Sequence, residues 1–178
     1  MNPIPILKTE RLILRAWKSD DFDHYARLMG NPEITRFLPS GVMAPDDAWQ
    51  HMAMIAGHWN LLGYGIWAVD RKDDGAFIGR TGFWNPPGWP AMELIWTLDR
   101  PFWGKGYATE AARAALDFGF TSLGVKHLTS HIDAENKRSQ QVARRLGQSR
   151  IGETEINFMG RRLPVEIWDI SRARWSSH

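Results

Sequence analysis

One short stretch constrains this chain more than any other: Asp99 to Ala112, D-R-P-F-W-G-K-G-Y-A-T-E-A-A. The strand pattern Met92 to Leu98 runs into Gly104 and Gly106, and an alanine-rich helix pattern from about Thr109 to Ser122 follows. Glycine adopts positive φ readily and lets backbone approach a ligand closely. A helix start presents unpaired N–H groups and a partial positive charge, which together hold phosphate. The stretch therefore reads either as a plain strand-to-helix turn or as an anion cradle. Two nucleotide patterns do not fit it. The Walker pattern needs Ser or Thr after Gly-Lys, but Gly106 follows Lys105, and Asp99 stands where its first glycine belongs. The dinucleotide pattern needs glycine at Thr109 and a first βαβ unit, whereas the strand before this turn belongs to a meander.

Periodicity supplies the other elements. Arg11 to Trp17 alternates as a strand, with Leu12, Leu14 and Ala16 on one side. Ser19-Asp20-Asp21 caps a helix carrying Phe22, Tyr25, Ala26 and Met29, and Gly30-Asn31-Pro32 stops it. A second helix starts near Pro45 and runs to about Trp59. Gly65 to Asp70 and Phe77 to Trp84 read as strands around the turn Asp73-Asp74-Gly75. After the alanine-rich helix come a strand at Lys126 to Ile132 and a helix ending at Gly147. A hairpin of Ile151 to Phe158 with Arg162 to Ile170, turning at Gly160, closes the chain. The expected order is β-α-α-β-β-β-α-β-α-β-β. That is a mixed α/β (α+β) fold: a sheet flanked by helices. Residues 1–178 are expected to form one domain, which at this length buries roughly 70% of its unfolded surface.

Composition narrows the function. With no cysteine, disulfides, thiolate metal sites and a cysteine nucleophile are excluded. Among six histidines, only His127 and His131 sit four apart, and they lie in a strand pattern, so no metal site is expected. A formal charge of +2 without a basic stripe argues against nucleic acid as partner. The start, Met1-Asn2-Pro3-Ile4-Pro5, lacks a signal peptide's basic region and apolar core. No stretch nears the roughly 20 apolar residues of a membrane span, so the expected location is the cytoplasm, with no membrane partner. Ten tryptophans are many for this length; most are assigned to the core, and an exposed tryptophan face would favour a homodimer.

W-G-K-G-Y-A-T-E-A closely resembles the pyrophosphate-binding motif of the GNAT acetyltransferases, in the branch that includes ribosomal-protein N-terminal (alanine or serine) acetyltransferases. That motif reads Gln/Arg-x-x-Gly-x-Gly/Ala; here Trp103, Gly106 and Ala108 stand at its three defined positions. Three more segments resemble that branch in order: L-K-T-E-R-L-I-L-R-A-W, A-M-E-L-I-W-T-L, and D-A-E-N-K-R-S-Q-Q-V-A-R-R-L-G. The resemblance implies a central, mostly antiparallel sheet splayed at its middle strands. It also implies transfer of an acetyl group from acetyl-CoA to an amine acceptor, a peptide N-terminus or a small molecule, without a metal. Trp103, Gly104, Lys105, Gly106, Tyr107, Ala108 and Thr109 would hold the pyrophosphate. The backbone of Trp96, Thr97 and Leu98 would meet the pantetheine arm, and Asn136 and Ser139 fill an N-x-x-S pattern that meets it from the other side.

Two residues are assigned to catalysis. Relatives carry a tyrosine that protonates the departing thiolate, but Ala143 stands at that position, and Ser139, one turn earlier, is the candidate acid. Glu93 is the candidate base, because Met92, Leu94 and Trp96 would partly desolvate its carboxylate, and only a neutral amine attacks. Glu110 also matches the motif, but its position in a first helical turn assigns it to the helix dipole. With no cysteine for an acetyl intermediate, direct attack in a ternary complex is the simplest scheme. The loss of the tyrosine keeps one alternative open, a catalytically silent CoA-binding module acting as sensor or subunit. The acceptor is expected between about Glu33 to Asp47 and Thr154 to Leu163.

Overall fold

A computed structural model of the chain describes residues 3–176, so the readings of Met1, Asn2 and His178 lie outside the described residues. A short strand β1 (Leu7–Lys8) pairs with β2 (Leu12–Arg15). A 3₁₀ turn (Ser19–Asp21) leads into α1 (Phe22–Met29), followed by α2 (Pro32–Thr35) and α3 (Pro45–Leu62). The meander is β3 (Ile66–Arg71), β4 (Phe77–Trp84) and β5 (Glu93–Leu98). Then come α4 (Tyr107–Thr121), β6 (His127–Ile132), α5 (Lys137–Arg145), β7 (Ser149–Phe158), β8 (Arg161–Ser171) and a last turn of helix, α6 (Arg172–Trp175).

Periodicity missed three of these elements. β1 is two residues long, and its pairing with β2 cannot be read from so short a pattern. Pro32 ends α1 as expected but also opens α2, because Asn31 accepts a hydrogen bond from the Glu33 N–H and caps a new turn. Ser171 caps α6 in the same way.

The eight strands form one sheet in the order β1-β2-β3-β4-β5-β6-β8-β7. Every neighbouring pair is antiparallel except β5 and β6, which run parallel and meet at one register pair, Glu93 with Thr129. Past that point they diverge, giving the splay that the family resemblance implies. α4 packs on one face over Leu14, Trp67, Ile78, Phe83 and Leu98. On the other face α1 and α3 pack Tyr25, Leu28, Met52 and Ile55 against Ile66, Ala68 and Trp84. Alternation along β4 and β5 decides which side chains reach this second face: Arg80 and Trp84 stand there opposite Thr97 and Glu93. Two positions in β4 admit only glycine. At Gly79 and Gly82, φ is +148° and +146°, and a Cβ would come within 2.2 Å of the Thr97 carbonyl and 2.3 Å of the Gly65 carbonyl.

Candidate active site

The glycine turn opens α4 as a cradle. Gly104 and Gly106 both take left-handed φ, +75° and +81°, which turns the chain from β5 into the helix. The first hydrogen bond at this end of α4 runs from the Glu110 N–H to the Gly106 carbonyl at 3.0 Å. The N–H groups of Tyr107, Ala108 and Thr109 therefore precede the helical ladder, where anions bind. Arg113 and Arg145 line the same opening, with Glu10. Thr109 Oγ1 is buried there without a hydrogen-bond partner. Free N–H groups, an orphaned hydroxyl and two guanidinium groups fit a pyrophosphate.

Other motif residues have structural work. The Tyr107 ring is buried under Arg11, whose guanidinium carbon lies 4.5 Å from the ring centre, so only its N–H faces the cradle. Lys105 is exposed, and its carbonyl accepts from Arg11 NH1 at 3.0 Å. Glu110 accepts from the Thr9 hydroxyl, the Arg11 N–H and Arg11 Nε at 2.6, 2.8 and 2.7 Å, pinning the N-terminal segment to α4. Burial disfavours its charge, but these donors outweigh burial and hold the carboxyl below its ordinary pKa.

Trp103 replaces a polar motif residue, and its single polar atom is engaged: Nε1 donates to the Leu98 carbonyl at 2.7 Å. The guanidinium carbons of Arg100 and Arg138 lie 4.9 and 4.6 Å from its ring centre. Glu33 sits 2.8 Å from Arg100 Nε and 3.9 Å from Arg138. This cluster fastens α2 across the mouth of the gap between β5 and β6.

In the gap, Met92 and Leu94 turn their carbonyls toward β6, accepting from the Thr129 N–H at 3.1 Å and the Ser130 hydroxyl at 2.8 Å. By alternation Trp96 and Leu98 present backbone to the same side, whereas Thr97 turns its main chain to β4 and lines the second face with its side chain. Glu93, 7% exposed, sits where the strands part. Its carboxylate accepts from Trp89 Nε1 at 2.9 Å and from the His131 N–H at 3.2 Å, filling the place of a ladder partner. His131 Nδ1 lies 3.2 Å from the same carboxylate but out of line, and makes no hydrogen bond.

Across the gap, Asn136 caps α5 by accepting from the Ser139 N–H at 3.1 Å. Asn136 and Ser139 both line a cavity, and among the described residues the Ser139 hydroxyl has no hydrogen-bond partner. Ala143 differs: it is fully buried against Ile132, Trp168 and Trp96. A larger side chain there would have to displace this packing.

The cavity, about 120 Å³ in volume, opens from Glu93 and runs beneath the second face. Phe37 to Ser40 form one wall and Ile156, Phe158 and Leu163 of the hairpin another, in the two segments expected to flank an acceptor. Among the charges of those segments, Arg36 pairs with Glu135 and Glu155 with Arg162, while the Arg161 guanidinium reaches across to Gly41.

Residues 11–149 match the family profile described as the acetyltransferase (GNAT) domain. The chain belongs to the GNAT acetyltransferases. Members of this family are acetyl-CoA-dependent acyltransferases. The N-acetyltransferase YnaD of Bacillus subtilis, itself uncharacterized, is 26% identical over 165 residues, 92% of each chain. An acetyltransferase structure from Agrobacterium tumefaciens superposes with a TM-score of 0.83 at 29% identity, covering 96% of both chains. A ribosomal L7/L12 α-N-protein acetyltransferase in complex with coenzyme A shares the fold, with a TM-score of 0.77, 18% identity, and 94% and 98% of the two chains covered.

Within this GNAT site, sequence reading missed His131, Trp89 and the group Arg80–Tyr25–His51. His131 is an ordinary strand residue until the single β5–β6 register pair sets it beside Glu93, 38 positions away. His127, its partner in spacing, pairs separately with Asp169 at 3.1 Å.

Proposed function

We propose that the protein transfers the acetyl group of acetyl-CoA directly to a primary amine in a ternary complex. The observation that carries this reading is Glu93, a buried carboxylate standing where the β5–β6 gap opens into an aromatic-walled cavity. Acetyl-CoA supplies a thioester, whose carbonyl carbon the amine attacks. The start of α4 would hold the pyrophosphate, with the N–H groups of residues 107–109 as donors and Thr109 Oγ1 gaining a partner. The Trp96 backbone and the Leu98 N–H, whose carbonyl is already held by Trp103 Nε1, would pair with the amides of the pantetheine arm as an added strand would. Their N–H groups are also the donors available to the carbonyl oxygen.

Glu93 takes the proton from the attacking amine. Trp89 and His131 fix its orientation, and a positioned base of this kind contributes roughly 10²–10⁴-fold. Ser139, facing Glu93's side of the cavity from α5, donates to the departing sulfur, directly or through water. Neither a metal nor nucleic acid enters this scheme. We place the protein in the cytoplasm; among the described residues no helix is long and apolar enough to cross a membrane. Among the described residues Trp49, 49% exposed, is the tryptophan that stands out into solvent, and a homodimer through a tryptophan face would have to use it.

Thiol release from acetyl-CoA with a panel of primary amines, peptides included, tests the reading. Release that depends on the amine, with acetylated amine found by mass spectrometry, is expected. Coenzyme A binding without release for any amine would make the protein a silent binding module.

A further inference from the structure

Arg80 is 5% exposed and lines the cavity from β4, between the two glycine-only positions. A buried guanidinium is ordinarily matched by a carboxylate, since an unpaired charge in a low-dielectric interior is costly. Arg80 has no such match: among the described residues its hydrogen-bonding partner is the Tyr25 hydroxyl, 3.0 Å from NH1, and Nε is buried with no partner at all.

Its neighbours leave that charge standing. Arginine only donates, so the Tyr25 oxygen accepts from Arg80 and its own proton points to His51 Nδ1, 2.7 Å away. His51 is thereby the tautomer that carries its proton on Nε2. Burial, reinforced by the charge of Arg80, lowers the His51 pKa to about 3, and burial raises that of Tyr25 to about 12. Both are neutral near pH 7. The cluster is one positive charge with donors and no acceptor, on a wall otherwise lined by Ile55, Ile66, Trp84 and Ile95.

We infer that the acceptor amine also carries a carboxylate, and that Arg80 is the residue that selects it. This rests on the acetyl-transfer reading above. A guanidinium fork matches a planar carboxylate and repels a polyamine. Register sets the span: Arg80 is opposite Thr97 and Glu93 is opposite Trp84, on one face. Four residues separate these positions, about 13 Å at about 3.3 Å per residue. An amine near Glu93 and a carboxylate near Arg80 therefore belong to opposite ends of one small molecule.

Two measurements test this. In the first, thiol release is compared for glycine, γ-aminobutyrate and ε-aminocaproate, each against its primary amide, with spermidine alongside. The expected result is a preference of about tenfold or more in kcat/KM for the acid form of one of the longer pairs, and little release with spermidine. Arg80→Gln should bring that ratio to about one, with coenzyme A affinity unchanged, and Arg80→Lys should retain part of it. In the second, thermal midpoints are followed with hexanoate and hexanamide, neither of which can be acetylated. Hexanoate alone should stabilise the wild type, and Arg80→Gln should lose the effect. If Arg80→Gln does not fold, the wild-type ratio and midpoints still decide. Amine-dependent release with no acid preference, or with spermidine preferred, overturns the inference and leaves acetyl transfer standing. A hexanoate effect without release for any amine keeps the carboxylate subsite and removes the transferase reading. Equal response to hexanoate and hexanamide overturns the subsite.

Discussion

The cradle at the start of α4 is made chiefly from consecutive backbone, residues 103–109, with Arg113 and Arg145 at its opening, whereas the cavity across the sheet is walled by side chains that include those of α3, β4, β5, β6 and the terminal hairpin. Backbone N–H groups are the same in any sequence that turns this way, so the cradle suits a ligand common to many enzymes. Side chains brought from separate elements can differ in each enzyme, and they set what the cavity admits. Affinity for the donor and choice of acceptor are thus separate properties, alterable one at a time.

The largest break in that separation should come at Gly106. Valine there would face φ of +81°, which β-branched residues adopt only with strain, while its Cβ has no neighbour nearer than 3.4 Å. Gly106→Val should weaken coenzyme A binding on the order of a thousandfold in isothermal titration, with circular dichroism unchanged. Near wild-type affinity would reduce the turn to a structural role.

Glu93→Gln probes the junction between the two regions. Glutamine can still accept from the His131 N–H, but its amide confronts the Trp89 donor, so thermal stability is measured alongside. The expected outcome is a fall of about a hundredfold in kcat/KM for the amine, a flattened acidic limb in the pH–rate profile and unaltered coenzyme A affinity. An acidic limb that survives with the same midpoint assigns the base elsewhere.

Ser139→Ala should have the smallest effect. The cap of α5 uses the Ser139 backbone N–H and not its hydroxyl, so the helix is preserved. A drop of about tenfold in kcat, with coenzyme A affinity changed less than about fivefold, is expected if the hydroxyl protonates the thiolate. Unchanged kcat would leave solvent as the proton source.

Legibility in the sequence follows the same division. The limits of β4, the glycine turn and the helix starts at Asn136 and Pro45 depend on neighbours within a few positions, and local pattern places them. Glu93 stands out as a carboxylate in an apolar strand, yet its contacts with Trp89 and His131 need the β5–β6 register. Arg80 gives no signal at all. Arginine in a strand normally points to solvent, and its burial depends on Tyr25, 55 positions earlier, and on α3 above it. Ala143 shows the converse: comparison with a motif marks a missing tyrosine, but only the fold shows Ala143 buried against Trp96 and Trp168.

The single register pair between β5 and β6 makes the sheet two sub-sheets, β1 to β5 and β6-β8-β7, whose backbone ladder joins at Glu93 and Thr129 and is otherwise bridged by the side chains of Ser130 and Glu93. An amide-bearing arm laid in that gap would act as a removable rung, completing a ladder that the polypeptide leaves open. Occupancy of the gap would then add backbone pairing at the joint where the ladder has one register pair. On the acetyl-transfer reading, binding and release of the donor would tighten and loosen that joint, which would make the donor structural material as well as reactant.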